Sequence, residues 1–205
     1  MPRSNTQNKQ MRAESRQKIL ETARRLFAER GYDGCNVSEI AREAGMSQGN
    51  IYWYFSSKEE IFRAVLVDGF EVLGTMMAEV AAQPGSGLEK LEYLLERYIA
   101  LGREQGGDEF IAIMTALLGL GGVSRLAALG FDTAQIGADY HQSVSAILGQ
   151  AQAEGAVEPG VDANLLTVFF FSFFNGLMMM YPREWKDIPV AFIREAAVRL
   201  LGARK

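Results

Sequence analysis

The stretch from Asn36 to Lys58, N-V-S-E-I-A-R-E-A-G-M-S-Q-G-N-I-Y-W-Y-F-S-S-K, decides the fold. Asn36 is a strong N-cap and Glu39 stands three residues on, so the pair can satisfy orphan amides reciprocally as a capping box. A helix therefore starts at about Val37. Val37, Ile40, Ala41 and Ala44 give it one apolar face, and Gly45 follows where the chain needs a positive φ to stop. Ser47 caps a second short helix, in which Ile51 and Phe55 point one way while Gly49, Asn50, Tyr52 and Trp53 spread over the remaining arc. A second capping box, Ser57 to Glu60, opens a further helix at Lys58.

Helices this short cannot stand alone, so Met46, Ile51 and Phe55 must rest on another element. Upstream, Ile19, Leu20, Ala23, Leu26 and Phe27 repeat at helical spacing and end at Gly31, which predicts a three-helix unit. Helix, tight turn and presented helix form the helix-turn-helix, whose second helix enters the major groove of B-DNA. An ordinary helical hairpin shares that apolar pattern, but it has no use for large exposed aromatics on a short helix. The candidate DNA contacts are Asn36, Arg42, Ser47, Gln48, Gly49, Asn50, Tyr52, Trp53, Tyr54 and Lys58. Lys58, at a helix N-terminus, suits a phosphate oxygen. The presented helix carries no Arg or Lys, so the common bidentate guanine contact is not available from it, and Arg42 on the preceding helix is the candidate to supply one. Gln48 or Asn50 can pair with adenine, and Tyr52 or Trp53 can pack on thymine methyls. Modest base readout and a strong salt dependence are expected.

The run from Phe27 to Phe62, F-A-E-R-G-Y-D-G-C-N-V-S-E-I-A-R-E-A-G-M-S-Q-G-N-I-Y-W-Y-F-S-S-K-E-E-I-F, resembles the DNA-binding domain of the tetracycline-repressor (TetR) family. The likeness extends without a gap over roughly residues 15–66. It includes the glycine-aromatic pair, the I-A-x-x-A-G core, the small cap, the Y-x-x-F segment and the lysine after it. The resemblance implies a C-terminal part that binds a small molecule and dimerises through its last two helices, and a phosphate contact from Lys58. Two positions depart from the family pattern. Cys35 stands where threonine is common and Tyr54 where histidine is frequent, which alters phosphate contacts without altering the fold.

At 205 residues and 48% apolar content the chain can build one small module and one larger core. Its charge is unevenly divided: residues 1–63 hold 11 Lys/Arg against 8 Asp/Glu, and the remainder 10 against 17. A basic N-terminal piece suits phosphate, and an acidic remainder is repelled from it, which orients the molecule on a duplex. The start of the chain shows no apolar signal region, so cytoplasmic residence is expected. The single cysteine allows neither an intrachain disulfide nor a Cys-based zinc site, and Cys35 has no visible resolving partner. Residues 1–12 are polar and aperiodic and are expected to be a mobile tail, with Arg3, Lys9 and Arg12 able to follow a DNA backbone.

The domain organisation expected is a tail over 1–12, a helix-turn-helix DNA-binding domain over 13–57 and a helical ligand-binding and dimerisation domain over 58–205. The fold class is all-α. From Lys58 an apolar stripe runs through Ile61, Phe62, Val65, Leu66, Gly69, Phe70, Leu73, Met76, Met77 and Val80 to a break at Pro84, so one long helix joins the reader to the rest. Amphipathic helices follow from Leu88 to Ala100 and from Ala134 to Ala153. Phe110 to Leu120 reads as apolar all round and hence buried, and the glycines of 119–122 as a loop or kink.

Residues Ala163 to Pro182 hold no charge over twenty positions, the length of a membrane span. Asn164, Thr167, Ser172 and Asn175 recur along it and no basic cluster follows, so the expectation is a fully buried helix serving core and dimer interface, not an anchor. The candidate interface is Phe169, Ser172, Phe173, Gly176 and Met180 with Phe192, Ala196 and Leu200 of the last helix. Candidate lining for an effector cavity is Met77, Tyr98, Phe110, Met114, Leu117, Phe131, His141, Phe170, Phe174 and Met178, an apolar set that calls for a hydrophobic or aromatic effector.

The function expected is a dimeric, sequence-specific transcriptional regulator, a repressor released from a palindromic operator by such a molecule. The alternative is a DNA-binding architectural or interaction protein without an effector. An enzyme is not expected: His141 is the sole histidine, and neither a nucleophile elbow nor a phosphate loop is present, so no catalytic residue, cofactor or metal is assigned.

Overall fold

The computed structural model describes residues 5–104, 106–117, 122–181 and 184–201, and among these every regular element is helical. Helices α1 (Asn5–Arg30), α2 (Val37–Ala44), α3 (Gln48–Tyr54) and α4 (Lys58–Ala82) are followed by α5 (Gly87–Leu101), α6 (Gly107–Leu117) and α7 (Gly122–Ala128). Helices α8 (Thr133–Ala153), α9 (Ala163–Met180) and α10 (Val190–Leu200) follow, with a short 3-10 turn at Glu184–Asp187.

The local chemistry explains most of these bounds. The Asn36 side chain accepts from the Glu39 amide at 3.0 Å while Glu39 accepts from the Asn36 amide at 3.0 Å, so the capping box is complete. Gly45 stops α2 at φ +65°. Ser47 caps α3 through the Asn50 amide, and Asp162 caps α9 through the amides of Asn164 and Leu165. The box expected at Ser57 is only half made: Ser57 accepts from the Glu60 amide, but the Glu60 carboxylate turns back to the amide and hydroxyl of Ser56. A full box that was not expected, Ser86 with Glu89, starts α5.

Several expectations require correction. Residues 5–12 are helical, not an aperiodic tail, and extend α1 by two turns; residues 1–4, with Arg3, lie outside the described residues. Helix α6 begins at Gly107 and is not buried all round, since Ala112 and Ala116 face solvent. Of the expected glycine-rich loop, 118–121 lie outside the described residues and Gly122 opens α7. Helix α9, expected to be buried between the core and a second chain, has only its inner face covered in the single protomer. Leu166, Thr167, Phe170, Phe174 and Met178 face inward, while Leu165, Val168, Phe169, Met179 and Met180 face out. It is long and apolar enough to cross a membrane by length and composition, but its inner face is committed to a packed core.

Among the described residues there are two apolar cores, and they are not divided where a boundary at residue 57 would divide them. The first joins α1, α2, α3 and the N-terminal half of α4 to Phe110, Ile113 and Leu117 of α6 and to Leu126 and Leu129 around α7. The second joins the C-terminal half of α4 to α5, α8, α9 and α10. Helix α6 enters the first core beside Gly69, where a Cβ would lie 2.0 Å from the Phe110 ring. Polar links fasten the same seam. Arg24 Nε donates to Glu109 at 2.9 Å, Arg63 Nε to the Leu129 carbonyl at 3.1 Å, and Arg125 to Asp33 at 3.0 Å.

Asp68 sits half-buried in α4 near this seam, and burial pushes its carboxyl above the ordinary range, opposed by Arg16 and Arg24. The folded state therefore holds this proton more tightly than the unfolded chain does, and stability falls as pH rises through the raised value. Asp68→Asn is expected to raise the melting temperature at pH 7. The gain should vanish below the ordinary carboxylate range, which thermal melts across a pH series would read.

Candidate nucleic-acid interface

Helix α3 is held from behind. Ile51 is 0% exposed and Phe55 3% exposed, both packed into the first core, and Met46 packs at its edge. The Ser47 cap fixes the first turn and the Phe55 amide closes the last one on the Ile51 carbonyl. The outward arc is then presented on a rigid base. Gln48, Gly49 and Asn50 are exposed, as are Tyr52 at 49% and Trp53 at 59%. Tyr54 is half-buried, with its ring edge-on to Trp53 at 4.6 Å between centroids.

The remaining candidates divide. Arg42 is well exposed beside this arc, with its guanidinium 3.4 Å from Glu43, whose carboxyl is held below the usual range by hydrogen bonds from Arg25 and Arg42. Asn36 and Ser47 are at the surface, but their side-chain oxygens are occupied as caps, so their part in any contact is to aim the helices. Lys58 is not a free phosphate ligand. Its ammonium donates to the carbonyls of Tyr32 at 2.8 Å and Cys35 at 2.9 Å and lies 4.1 Å from the Tyr32 ring centre. It ties α4 to the turn between α1 and α2, leaving one N–H for a phosphate. Lys58→Ala is therefore expected to destabilise the reader by about 1–3 kcal/mol. A denaturant midpoint unchanged by that substitution would contradict the tie.

Cys35 is buried under the same turn, and burial together with Glu39 raises its thiol above the ordinary value. A protonated, enclosed thiol is a packing group, not a redox switch.

The candidate effector set is not gathered in one place. Phe110, Leu117, Met114 and Phe131 belong to the first core, with Phe131 under the Arg63 guanidinium. Met77, Tyr98, Phe170, Phe174 and Met178 belong to the second. There the Phe174 ring meets Tyr98 and Phe170, each at 5.1 Å, and burial pushes the Tyr98 hydroxyl up to about 12. His141 belongs to neither group. It lines an open surface groove with Gln142, Ser145 and Asn164.

The expected interface residues do share one face. Phe169 (53% exposed), Ser172, Gly176 and Met180 (75%) on α9 lie open beside Phe192 (68%) and Leu200 (63%) on α10, while Phe173 and Ala196 are half-buried between them. A groove of about 340 Å³ runs between the two helices, lined by Phe169, Phe170, Phe173, Ala197, Leu200 and Leu201. Leu165, Val168 and Met179 extend the stripe and were not among the expected residues. Their spacing from Phe169 and Ser172 was the available signal.

Residues 19–65 match the family described as bacterial regulatory proteins, tetR family. The chain is 36% identical over 88 residues to the HTH-type transcriptional regulator AcrR of Shigella flexneri, an alignment covering 42% of the chain and 41% of that relative. The chain thus spans less than half of AcrR. It is 28% identical over 157 residues to the fatty acid metabolism regulator protein of Bacillus subtilis, covering 75% and 76% of the two chains. Among solved structures, that of AibR in complex with isovaleryl coenzyme A and operator DNA has a TM-score of 0.73 at 23% identity, covering 92% and 98%, and so shares the fold.

Proposed function

We propose that this chain, a member of the tetR family of bacterial regulatory proteins, is a dimeric transcriptional regulator that reads a palindromic operator and represses until an apolar small molecule releases it. It acts in the cytoplasm, where its DNA is. The observation that carries this reading is α3 itself: a capped helix buried on one side through Ile51 and open on the other through Gln48, Asn50, Tyr52 and Trp53. Each protomer sets that helix in the major groove of one half-site. The apolar stripe on α9 and α10 supplies the surface for a second copy, so the two readers are related by a two-fold axis and the operator by a dyad.

The effector acts on the second core, around Met77, Tyr98, Phe170, Phe174 and Met178. These side chains offer almost no polar group except the Tyr98 hydroxyl, which suits an apolar acyl or aromatic compound. The names of the Bacillus subtilis relative and of the AibR complex favour the acyl class. A ligand that separates the readers lowers operator affinity only by its differential affinity for the two arrangements, and a hundredfold change needs about 2.7 kcal/mol. DNA binding without an effector is the second reading, favoured by the close ring packing of Tyr98, Phe170 and Phe174.

The test is selection of bound fragments from genomic DNA by the purified protein beside a Tyr52→Ala, Trp53→Ala variant. Recovery of one palindrome by the wild type alone supports the regulator. No enrichment by the wild type at low salt overturns it. Loss of the recovered fragment on adding a series of acyl compounds separates the first reading from the second.

A further inference from the structure

Arg12 and Arg16 lie one turn apart on α1, and each sits over an aromatic ring of the presented segment. The Arg12 guanidinium is 4.8 Å from the centre of the Trp53 ring and that of Arg16 is 5.3 Å from the centre of the Phe55 ring. Lys9 continues the same helical face one turn toward the N-terminus. The carboxylates are turned elsewhere: Glu14 takes a hydrogen bond from Gln10 at 3.0 Å and Glu21 one from Gln17 at 3.1 Å, each pair four residues apart on another face. Charge on this part of α1 is therefore sorted, with cations on the side of α3. Lys9 and Arg12 are exposed, and neither is paired with a carboxylate among the described residues.

An unpaired guanidinium over an exposed indole adds little to the fold and enough to bias one orientation of the ring. A guanidinium holds five N–H donors in a planar fork, so contact with a ring through carbon still leaves donors for further hydrogen bonds. Lys9, a turn beyond, extends the cationic line past the end of the reading helix.

We infer that the first turns of α1 are a second DNA-contacting element, in which Lys9 and Arg12 bind backbone phosphates flanking the base pairs under α3 while Arg12 holds the Trp53 ring in its reading orientation. This rests on α3 being the reader. Arg12 is thus both a phosphate ligand and a positioning residue, and the two roles separate experimentally.

The probe is the duplex that the wild-type protein retains from a random-sequence library, labelled and titrated across a salt series. Removing one phosphate-bound cation lowers the slope of log affinity against log salt by about 0.9, hence by about 1.8 per substitution when two half-sites are occupied. Lys9→Ala and Arg12→Ala should each show that drop with unchanged helicity, and Lys90→Ala on α5 should not. In a Trp185→Phe background, Arg12→Ala should also make Trp53 fluorescence more quenchable by acrylamide, and Lys9→Ala should leave it unchanged. Slopes equal to wild type in both variants, or Trp53 quenching indifferent to Arg12, would overturn the inference while leaving the reader in place. Retention of no duplex by the wild type would overturn the reader and this element with it.

Discussion

A protein carrying Met180→Glu and Phe192→Glu is expected to be a folded monomer that has lost its operator. Both side chains are largely exposed in the protomer, at 75% and 68%, so the substitutions remove little from its own core. In a two-fold interface each glutamate would be desolvated without a partner and would face like charges across the axis. An uncompensated buried charge of this kind costs about 4 kcal/mol, roughly a thousandfold in the dimer dissociation constant. Separating the two readers also removes the effective concentration that links the half-sites, a further loss of about a hundredfold or more in operator affinity. Sedimentation at micromolar protein and a DNA titration would read the two effects. A dimer that persists with both glutamates in place would assign the stripe on α9 and α10 to something other than a second copy.

Phe174→Ala is expected to be the most costly single truncation in the second core. The side chain is 1% exposed and meets Tyr98, Phe170 and Phe173 at centroid distances of 5.1, 5.1 and 5.2 Å. Truncating a buried phenylalanine costs about 3–5 kcal/mol, because the neighbours collapse only partly into the void. Against the 5–15 kcal/mol that roughly spans ordinary domain stability, that is a large fraction. Chemical denaturation should show a markedly lower midpoint. Ile19, Leu26, Ile40 and Ile51 lie in the other core, so helicity in the reader should survive at denaturant concentrations that unfold the rest. A loss below about 1 kcal/mol would mean that the site relaxes freely, and with it the packed state on which an apolar effector is proposed to act.

Much of the fold written in local chemistry was legible in the sequence, although the Ser86–Glu89 box was missed. Asn36, Glu39, Gly45 and Ser47 act within a few residues of themselves, so α2 and α3 could be bounded without knowing their neighbours. The outward stripe of α9 was legible in part: Phe169, Ser172, Gly176 and Met180 were read as an interface, while Leu165, Val168 and Met179 were not, because composition does not show how wide an apolar face a second chain would cover. The N-terminal turns of α1 were missed for a different reason. They carry no apolar periodicity, and their ties include Gln10 to Glu14 and Arg12 to a tryptophan 41 positions on.

Lys58 shows the same limit at the site. Its place in the first turn of α4 suits a phosphate, but the carbonyls of Tyr32 and Cys35 that hold it come from a turn 26 and 23 residues upstream. The effector set was the least legible element. Phe110 and Phe174 are alike in type and burial, yet Gly69 admits the first into the reader's core and α5 encloses the second in another. Residue type alone says that both are buried, and only topology says where.

The proposed assembly is a two-fold dimer whose α3 helices read two half-sites. The most direct measurement is the stoichiometry and symmetry of the complex with a selected duplex, by sedimentation together with hydroxyl-radical footprinting. Protomers are expected to load in pairs, with protected segments on the two strands related by a dyad and their centres one helical turn, or a multiple of it, apart. A single protomer saturating the duplex, or protection without dyad symmetry, would contradict the claim.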